Sequence, residues 1–450
     1  LRRRAPPVIE VGRVEALNHH GEGVVRGGKT AFVSGALPGE TVNFIRRRHH
    51  RQHDEAQLVA VLEPAAQRVA PRCAHFGVCG GCSLQHLDSD AQLQIKEQQL
   101  RDTLERVAHV TPRRWLAPLR GPQWQYRRRA RLGARFVASR ERSLVGFRER
   151  YSTHVAELRR CEVLAAPVDA LIEPLGALLT GLSIRERVPQ VEVAVAENAV
   201  VLVIRTLDPV NAADEQLLLE FERTHAVRIC LQPGGLASLK PLREPAPQLE
   251  YTLPEHGVRL RFEPSDFIQI NAELNQLLVG HVIELLKLDA RSQVLDLFCG
   301  LGNFTLPMAR RAARVVGVEG EAALVARAVS NAALNAIVNA EFFCADLAGA
   351  ACASAPWAQR RYSHVLLDPP RVGARELLPL LARLGVKRVL YVSCHPGSLA
   401  RDLQILVHEL GFELLAAGVA DMFPQTTHVE SLALLAPPGA SADNPGEDMP

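Results

Sequence analysis

Asp296-Leu297-Phe298-Cys299-Gly300-Leu301-Gly302-Asn303 decides how the second half of this chain is read. Val294, Leu295 and Leu297 make a short apolar strand, and the glycines after it make a tight turn into a helix. Glycines let a backbone approach a ligand closely, and a helix N-terminus offers free amide donors. A dinucleotide fingerprint needs a third glycine at position 305, which here is Thr305, so that pattern is incomplete. Outward from this turn, apolar strands at 314–318, 340–343, 364–367 and 388–393 alternate with helical stretches such as 303–311 and 321–335. The alternation predicts an α/β, Rossmann-like domain: a doubly wound parallel sheet with helices on both faces. Ligands of such sheets sit at the carboxyl ends of the strands.

Acidic residues close those strands. Glu319 ends the second, where a carboxylate can accept bonds from both ribose hydroxyls. Asp346 follows the third, placed for an adenine amino group, and Asp368 follows the fourth. With no phosphate-binding lysine in the set, the pattern fits a cofactor that has a nucleoside and no phosphates, of which S-adenosylmethionine is the obvious case. Cys394 follows strand 388–393 on the same rim, ahead of a polar turn with Pro396. That position suits a nucleophile better than a core thiol, given nearby positive charge or a helix N-terminus to favour the thiolate. Glu430, in a late strand, could bring a carboxylate to the same rim, although a lone Glu there reads more readily as a surface residue.

At 450 residues the chain is long enough for roughly three domains, and 47% hydrophobic content makes global disorder unlikely to describe it. Five short strands within residues 8–63, with turns at Gly21-Glu22-Gly23, Gly27-Gly28 and Pro38-Gly39, suit a small oligonucleotide-binding-type barrel. A polar helix at 89–107 and a mixed α+β region at 123–260 follow. The domains expected are 1–65, 66–261 and 262–437, with a disordered tail at 438–450. Net charge is only +3, but arginines cluster at Arg2, Arg3 and Arg4, at Arg46, Arg47, Arg48 and Arg51, and at Arg127, Arg128, Arg129, Arg131 and Arg135. An anionic partner on the N-terminal part is therefore expected. No apolar run reaches the ~20 residues of a membrane span, and the first residues lack a signal-peptide pattern, so a cytoplasmic address is expected. Cys73, Cys79 and Cys82 lie in one loop, with Cys161 as a candidate fourth ligand for zinc or an iron–sulfur cluster.

At these residues the chain resembles the RNA uracil carbon-5 methyltransferases. The resemblance rests on Phe267-Ile268-Gln269-Ile270-Asn271, on the glycine turn through Phe304, and on Asp368-Pro369-Pro370-Arg371. It extends through Val392-Ser393-Cys394-His395-Pro396, Leu399-Ala400-Arg401-Asp402 and His428-Val429-Glu430. One departure is His395, where the family usually has Asn. The resemblance implies a class I S-adenosylmethionine-dependent fold and a covalent mechanism. Cys394 would add to carbon 6 of uracil, carbon 5 would take the methyl group, and Glu430 would remove the carbon-5 proton. It implies that Gln269, Phe298, Asn303, Glu319, Asp346 and Asp368 line the cofactor, and that Phe267 stacks on RNA bases. It also favours a [4Fe-4S] cluster on Cys73, Cys79, Cys82 and Cys161. The barrel resembles a TRAM domain by Gly21-Glu22-Gly23-Val24 and Gly35-Ala36-Leu37-Pro38-Gly39-Glu40. Barrel and cysteines together resemble the 23S rRNA branch, which implies 23S rRNA as partner; no obligate protein partner is evident in the sequence, so a monomer is expected. Two alternatives are tRNA as substrate and an RNA-binding or folding module with a vestigial methyltransferase fold. A third is an amino-group methyltransferase, which would need no cysteine.

Overall fold

The computed structural model describes residues 8–438. Arg2, Arg3 and Arg4, and residues 439–450 of the expected tail, lie outside the described residues. Strands β1 (Glu10–Leu17), β2 (Glu22–Val25), β3 (Thr30–Ser34), β4 (Thr41–His49) and β5 (His53–Glu63) close into a barrel in the order β1-β2-β3-β5-β4. Alternation explains the closure: Ala31, Val33, Val42 and Phe44 point inward and share one core with Val14 and Val25. The fully buried carboxylate of Glu40 fixes the barrel to the chain that follows. It accepts bonds from Arg68 at 2.5 and 2.8 Å, from the Leu37 amide at 2.8 Å and from the Ala65 amide at 3.2 Å.

Helix α1 (Ser89–Thr103) begins at Asp88, whose side chain accepts from the amides of Asp90 and Ala91. The short β6 (Arg114–Trp115) comes next. The central region is built from β7 (Arg129–Val137), β8 (Arg142–Gly146), α2 (Ile172–Gly181), β9 (Gln190–Val195), β10 (Val200–Arg205), α3 (Ala212–His225), β11 (Arg228–Gln232) and β12 (Lys240–Pro241). Its sheet runs β12-β11-β10-β9-β7-β8. A hairpin, β13 (Leu249–Leu253) and β14 (Val258–Phe262), leads into the C-terminal part.

That part contains α4 (Ala272–Leu286), β15 (Gln293–Leu297), α5 (Thr305–Ala309), β16 (Arg314–Glu319), α6 (Ala322–Leu334), β17 (Ala340–Cys344) and β18 (His364–Leu367). It continues with α7 (Leu378–Leu381), β19 (Arg388–Ser393), α8 (Pro396–Gln404), β20 (Glu413–Ala420) and β21 (Glu430–Ala436). The eight-stranded sheet runs β17-β16-β15-β18-β19-β21-β20-β6. Strands β15 to β19 are parallel and nearly continuous in apolar residues, as strands covered on both faces are. The expected all-parallel sheet is in fact mixed, because β21 pairs antiparallel with both β19 and β20. The edge strand β6 comes from outside the 262–437 span and pairs parallel to β20. Residues 114–115 thus complete the C-terminal sheet. Among the described residues, no helix is long and apolar enough to cross a membrane.

Candidate active site

The carboxyl ends of β15, β16, β18 and β19 make one rim. Cys394 directly follows β19, and Glu430 is the first residue of β21. In the antiparallel pairing of these strands Ser393 lies opposite Ser431, so one step further along the register Cys394 meets Glu430. The two are 36 residues apart in sequence, 394 against 430, and strand pairing brings them together. Asp368 directly follows β18, with its amide donating to the Leu297 carbonyl at 3.3 Å. Exposed Arg371 borders the same cluster, and its guanidinium reaches the His428 ring at 3.3 Å.

Burial governs the charges here. The Glu430 side chain is buried, and that burial pushes its carboxyl well above the usual range, helped by the Asp368 charge and opposed by Arg371. Glu430 is thus an interior group, not the surface residue that a lone Glu in a strand suggests. Burial also raises the half-buried Cys394 thiol; Glu430 and Asp368 add to the effect and Arg371 works against it. Asp368 is pushed up to about 7 by burial. Helix α8 starts two residues beyond Cys394, so the anticipated helix N-terminus is present, but burial first, and the neighbouring carboxylates second, leave the thiol raised.

Next to this cluster lies the glycine turn. Gly300 and Gly302 have φ of +55° and +97°, in the region that L side chains rarely adopt. Glu319 is held open across the turn: its carboxylate accepts from the amides of Gly300 at 3.0 Å, Gly320 at 2.7 Å and Glu321 at 3.1 Å. Asp296 lies beneath, fully buried, accepting from the Thr305 hydroxyl at 2.5 Å while its other oxygen has no protein partner. Burial pushes Asp296 up to about 8, with the Asp368 and Glu319 charges adding to it. Phe298 is half-buried at φ +67° and its amide donates to Val318. Asp346 is exposed just past β17 and accepts from the Ala348 amide at 3.0 Å. Gln269 is half-buried, and its carbonyl accepts from Arg128 at 2.8 Å. Asn303 behaves differently from the others. Its side-chain oxygen accepts from Tyr251 and Asn275 and its amide donates to Asn275, each at 2.9 Å, so it ties the turn to α4 and β13.

Residues 248–437 match the family model described as tRNA (Uracil-5-)-methyltransferase. Over 435 residues the chain is 49% identical to a protein of Alkalilimnicola ehrlichii named 23S rRNA (uracil(1939)-C(5))-methyltransferase RlmD, covering 96% of this chain and 98% of that one. The chain belongs to the RNA uracil-5-methyltransferase family. A protein of the same name from Xanthomonas campestris pv. campestris is 49% identical over 422 residues, 93% of this chain and 95% of its own. The fold is shared with a solved Pyrococcus abyssi tRNA (uracil-54, C5)-methyltransferase in complex with S-adenosyl-L-homocysteine. That likeness has a TM-score of 0.73 at 23% identity, covering 95% of this chain and all of the other.

Uracil-5-methyltransferases usually carry Asn where this chain has His395, and the local geometry explains why His serves. His395 is the N-cap of α8, with its Nδ1 accepting the Ser398 amide at 3.1 Å. An Asn side-chain oxygen fills the same role. His395→Asn is therefore expected to leave the urea midpoint and turnover essentially unchanged. His395→Ala should cost about 1 kcal/mol of stability in the same denaturation series.

In this family member the four cysteines singled out from sequence, Cys73, Cys79, Cys82 and Cys161, line one cavity. All four are free thiols. The Gly81 amide donates to Cys79 Sγ at 3.4 Å. Burial pushes the Cys79 thiol up to about 11 and the Cys82 thiol up to about 12, so ionised sulfurs here need a cation. Among the described residues, no three His, Cys, Asp or Glu side chains converge closely enough to hold a single metal ion.

Some members of the arginine clusters are committed to the protein itself, while Arg47, Arg48, Arg51, Arg131 and Arg135 are exposed. Arg46 pairs with Glu10 and Asp54, both at 2.9 Å. Buried Arg128 stacks over Tyr251 and holds the Gln269 carbonyl, while Arg129 binds the Pro264 carbonyl. Tyr126 is core, donating to the Pro424 carbonyl at 2.9 Å. Composition cannot separate such tethers from a docking surface. Sequence reading also passed over Lys96, which is fully buried on Asp421. Its signal was available: Lys96 falls three residues after Leu93 and four before Leu100, on the inward face of α1.

Proposed function

We propose that this protein transfers a methyl group from S-adenosylmethionine to carbon 5 of a uridine in 23S rRNA, through a covalent adduct of Cys394 with carbon 6. The observation that carries the chemistry is the strand register that sets Glu430 opposite Cys394 beside the glycine cradle. The substrate reading draws on the RlmD names of relatives that match almost end to end. Carbon 5 of uracil is a poor nucleophile. Addition of the thiolate at carbon 6 makes an enolate that attacks the methyl group from carbon 5. Burial favours the neutral Glu430 carboxyl in the free protein, so it must be ionised at this step. The carboxylate then accepts the carbon-5 proton, the electron pair of that bond restores the 5,6 double bond, and the sulfur leaves as thiolate. A paired base cannot reach such a rim, so the uridine must be unpaired or flipped out. Phe267, 70% exposed just before Gln269, suits stacking on a neighbouring base, and the barrel suits backbone contacts. We read the enzyme as a cytoplasmic monomer.

Gln269, Phe298, Glu319, Asp346 and Asp368 would hold the donor, with Asn303 fixing the turn they surround. Its affinity should depend on pH. Asp368 is pushed up to about 7 by burial, so the negative charge with which it would favour a cationic donor appears as pH rises through that value. S-adenosylmethionine is therefore expected to bind more tightly at higher pH in calorimetry, and neutral S-adenosylhomocysteine to change much less. Stability of the free protein should run the other way. Asp296 and Asp368 are both raised from 3.8, to about 8 and about 7, so the folded state holds extra protons. Melting temperature should fall as pH climbs through that window.

The donor set in the cysteine cavity fits an iron–sulfur group. Four sulfurs that line one cavity without converging on a point suit a [4Fe-4S] cluster, whose ligands bind separate irons, better than a single zinc. Amide donors such as Gly81 suit its sulfur ligands. When bound, such a cluster supplies a rigid anionic crosslink here, far in the chain from the donor cradle. Cys161→Ala is expected to lose most of the iron and sulfide found in anaerobically purified protein.

The test of the proposal offers unmodified 23S rRNA and unmodified tRNA in parallel, with labelled S-adenosylmethionine. Label recovered as 5-methyluridine in 23S rRNA alone is the expected result. Label in tRNA keeps the chemistry and overturns the substrate; label as any other base overturns the chemistry.

A further inference from the structure

The loop that ends at the proposed base, residues 421–429, is irregular backbone that is mostly buried, with Phe423 and Thr427 half-buried and His428 exposed. Asp421, Met422, Gln425 and Glu430 are all buried. Its polar groups must be satisfied from elsewhere, and the partners come from a distant part of the chain. Lys96 Nζ donates to Asp421 at 2.6 Å and to the Phe423 carbonyl at 3.0 Å. The Pro424 carbonyl accepts from Tyr126 at 2.9 Å. The Gln425 carbonyl accepts from the amides of Ser83 at 2.9 Å and Leu84 at 3.0 Å. Gln92 closes the set, its amide nitrogen donating to the Gln425 side chain and its oxygen accepting the Gln425 amide, both at 3.0 Å.

Three consecutive carbonyls, 423 to 425, are thus each received by a different residue of the segment 83–126. Gln425 itself is held at φ +67°, a conformation that needs such support in a non-glycine residue. The barrel adds a third wall. A Cβ placed on Gly21, at φ +76°, would lie 2.9 Å from the Thr427 methyl and 3.4 Å from Ser83 Cβ. Cys82 immediately precedes the Ser83 and Leu84 amides, so the cysteine loop is part of the same clamp.

We propose that Gln92 and Lys96, with the Ser83 and Leu84 amides, are positioning residues for Glu430: they hold the 421–429 loop so that its carboxyl meets the carbon-5 proton. This rests on Glu430 being the base. The step they serve comes after thiolate addition and methyl transfer. Displacing the loop should therefore slow proton removal and sulfur departure while leaving the earlier bond-forming steps competent. The signature is a methylated, covalent enzyme–RNA adduct that accumulates, which simple loss of folded protein does not produce.

The experiment uses full-length Gln92→Leu and Gln425→Gly, incubated with substrate RNA and labelled S-adenosylmethionine and run on denaturing gels. Gln425→Gly permits the left-handed backbone and removes the whole side chain, including the amide that pairs with Gln92. Glu430→Gln serves as the reference. Turnover lower by up to about 10²-fold, with labelled adduct retained on the protein in at least one clamp variant, is the expected result. Normal turnover in both, or loss of turnover without adduct, overturns the positioning role when Glu430→Gln does trap adduct. If Glu430→Gln traps none, the assignment of the base has failed instead, and the positioning role falls with it.

Discussion

Cys394→Ala is expected to lower methyl transfer by at least about 10⁴-fold, with binding of the methyl donor unchanged. Uracil carbon 5 gains its nucleophilicity only while sulfur is attached at carbon 6, so removing the thiol removes the reaction path itself. No neighbouring cysteine can substitute. Cys299, in the glycine turn, is buried, directed at the Gly300 carbonyl, and its thiol is raised well above the ordinary value. Cys344 stands on β17, with three strands between it and β19 in the sheet order. Single-turnover assays with labelled donor would measure the loss. Activity that survives within about tenfold would instead favour methylation of an amino group, which needs no cysteine.

Glu430→Gln should cut turnover by about 10²- to 10⁴-fold and leave methylated RNA bound to the protein through Cys394. The amide matches the carboxyl in shape and cannot accept the carbon-5 proton, so the reaction stops after methyl transfer. Stability should hardly change. Burial already favours the protonated, neutral carboxyl, which the amide mimics. A melting curve close to the parent, together with a labelled band that survives denaturation, is the expected pair of results. A Glu430→Gln enzyme that turns over normally would remove Glu430 from the reaction.

Much of this architecture could be read from local sequence, and the failures have physical causes. Apolar runs of four to six residues, separated by helical stretches, identify β15 to β19, because strands covered on both faces must be apolar throughout. The barrel is legible from period-two alternation and its glycine turns. The antiparallel return of β21 is not, since strand direction leaves no local pattern. Nor is β6, where two residues are too few for any period. Glu319, Asp346 and Asp368 stand at or just past strand ends, as their spacing suggests, but Asn303 shows the limit: its partners, Tyr251 and Asn275, are 52 and 28 residues away. Charge is visible in sequence and pairing is not, so the tethers made by Arg128 and Arg129 could not be read there. Lys96 was hidden for the same reason, as its partner Asp421 lies 325 residues away.

The covalent route is tested most directly by RNA in which the target uridine carries fluorine at carbon 5. After addition of Cys394 and methyl transfer, carbon 5 holds no proton for Glu430 to remove, so the complex cannot resolve. The account predicts a denaturation-stable complex that contains the transferred methyl group, with the RNA crosslinked to the peptide bearing Cys394. Folded, donor-binding enzyme that forms no such complex, or one that forms it through another cysteine, would contradict the mechanism.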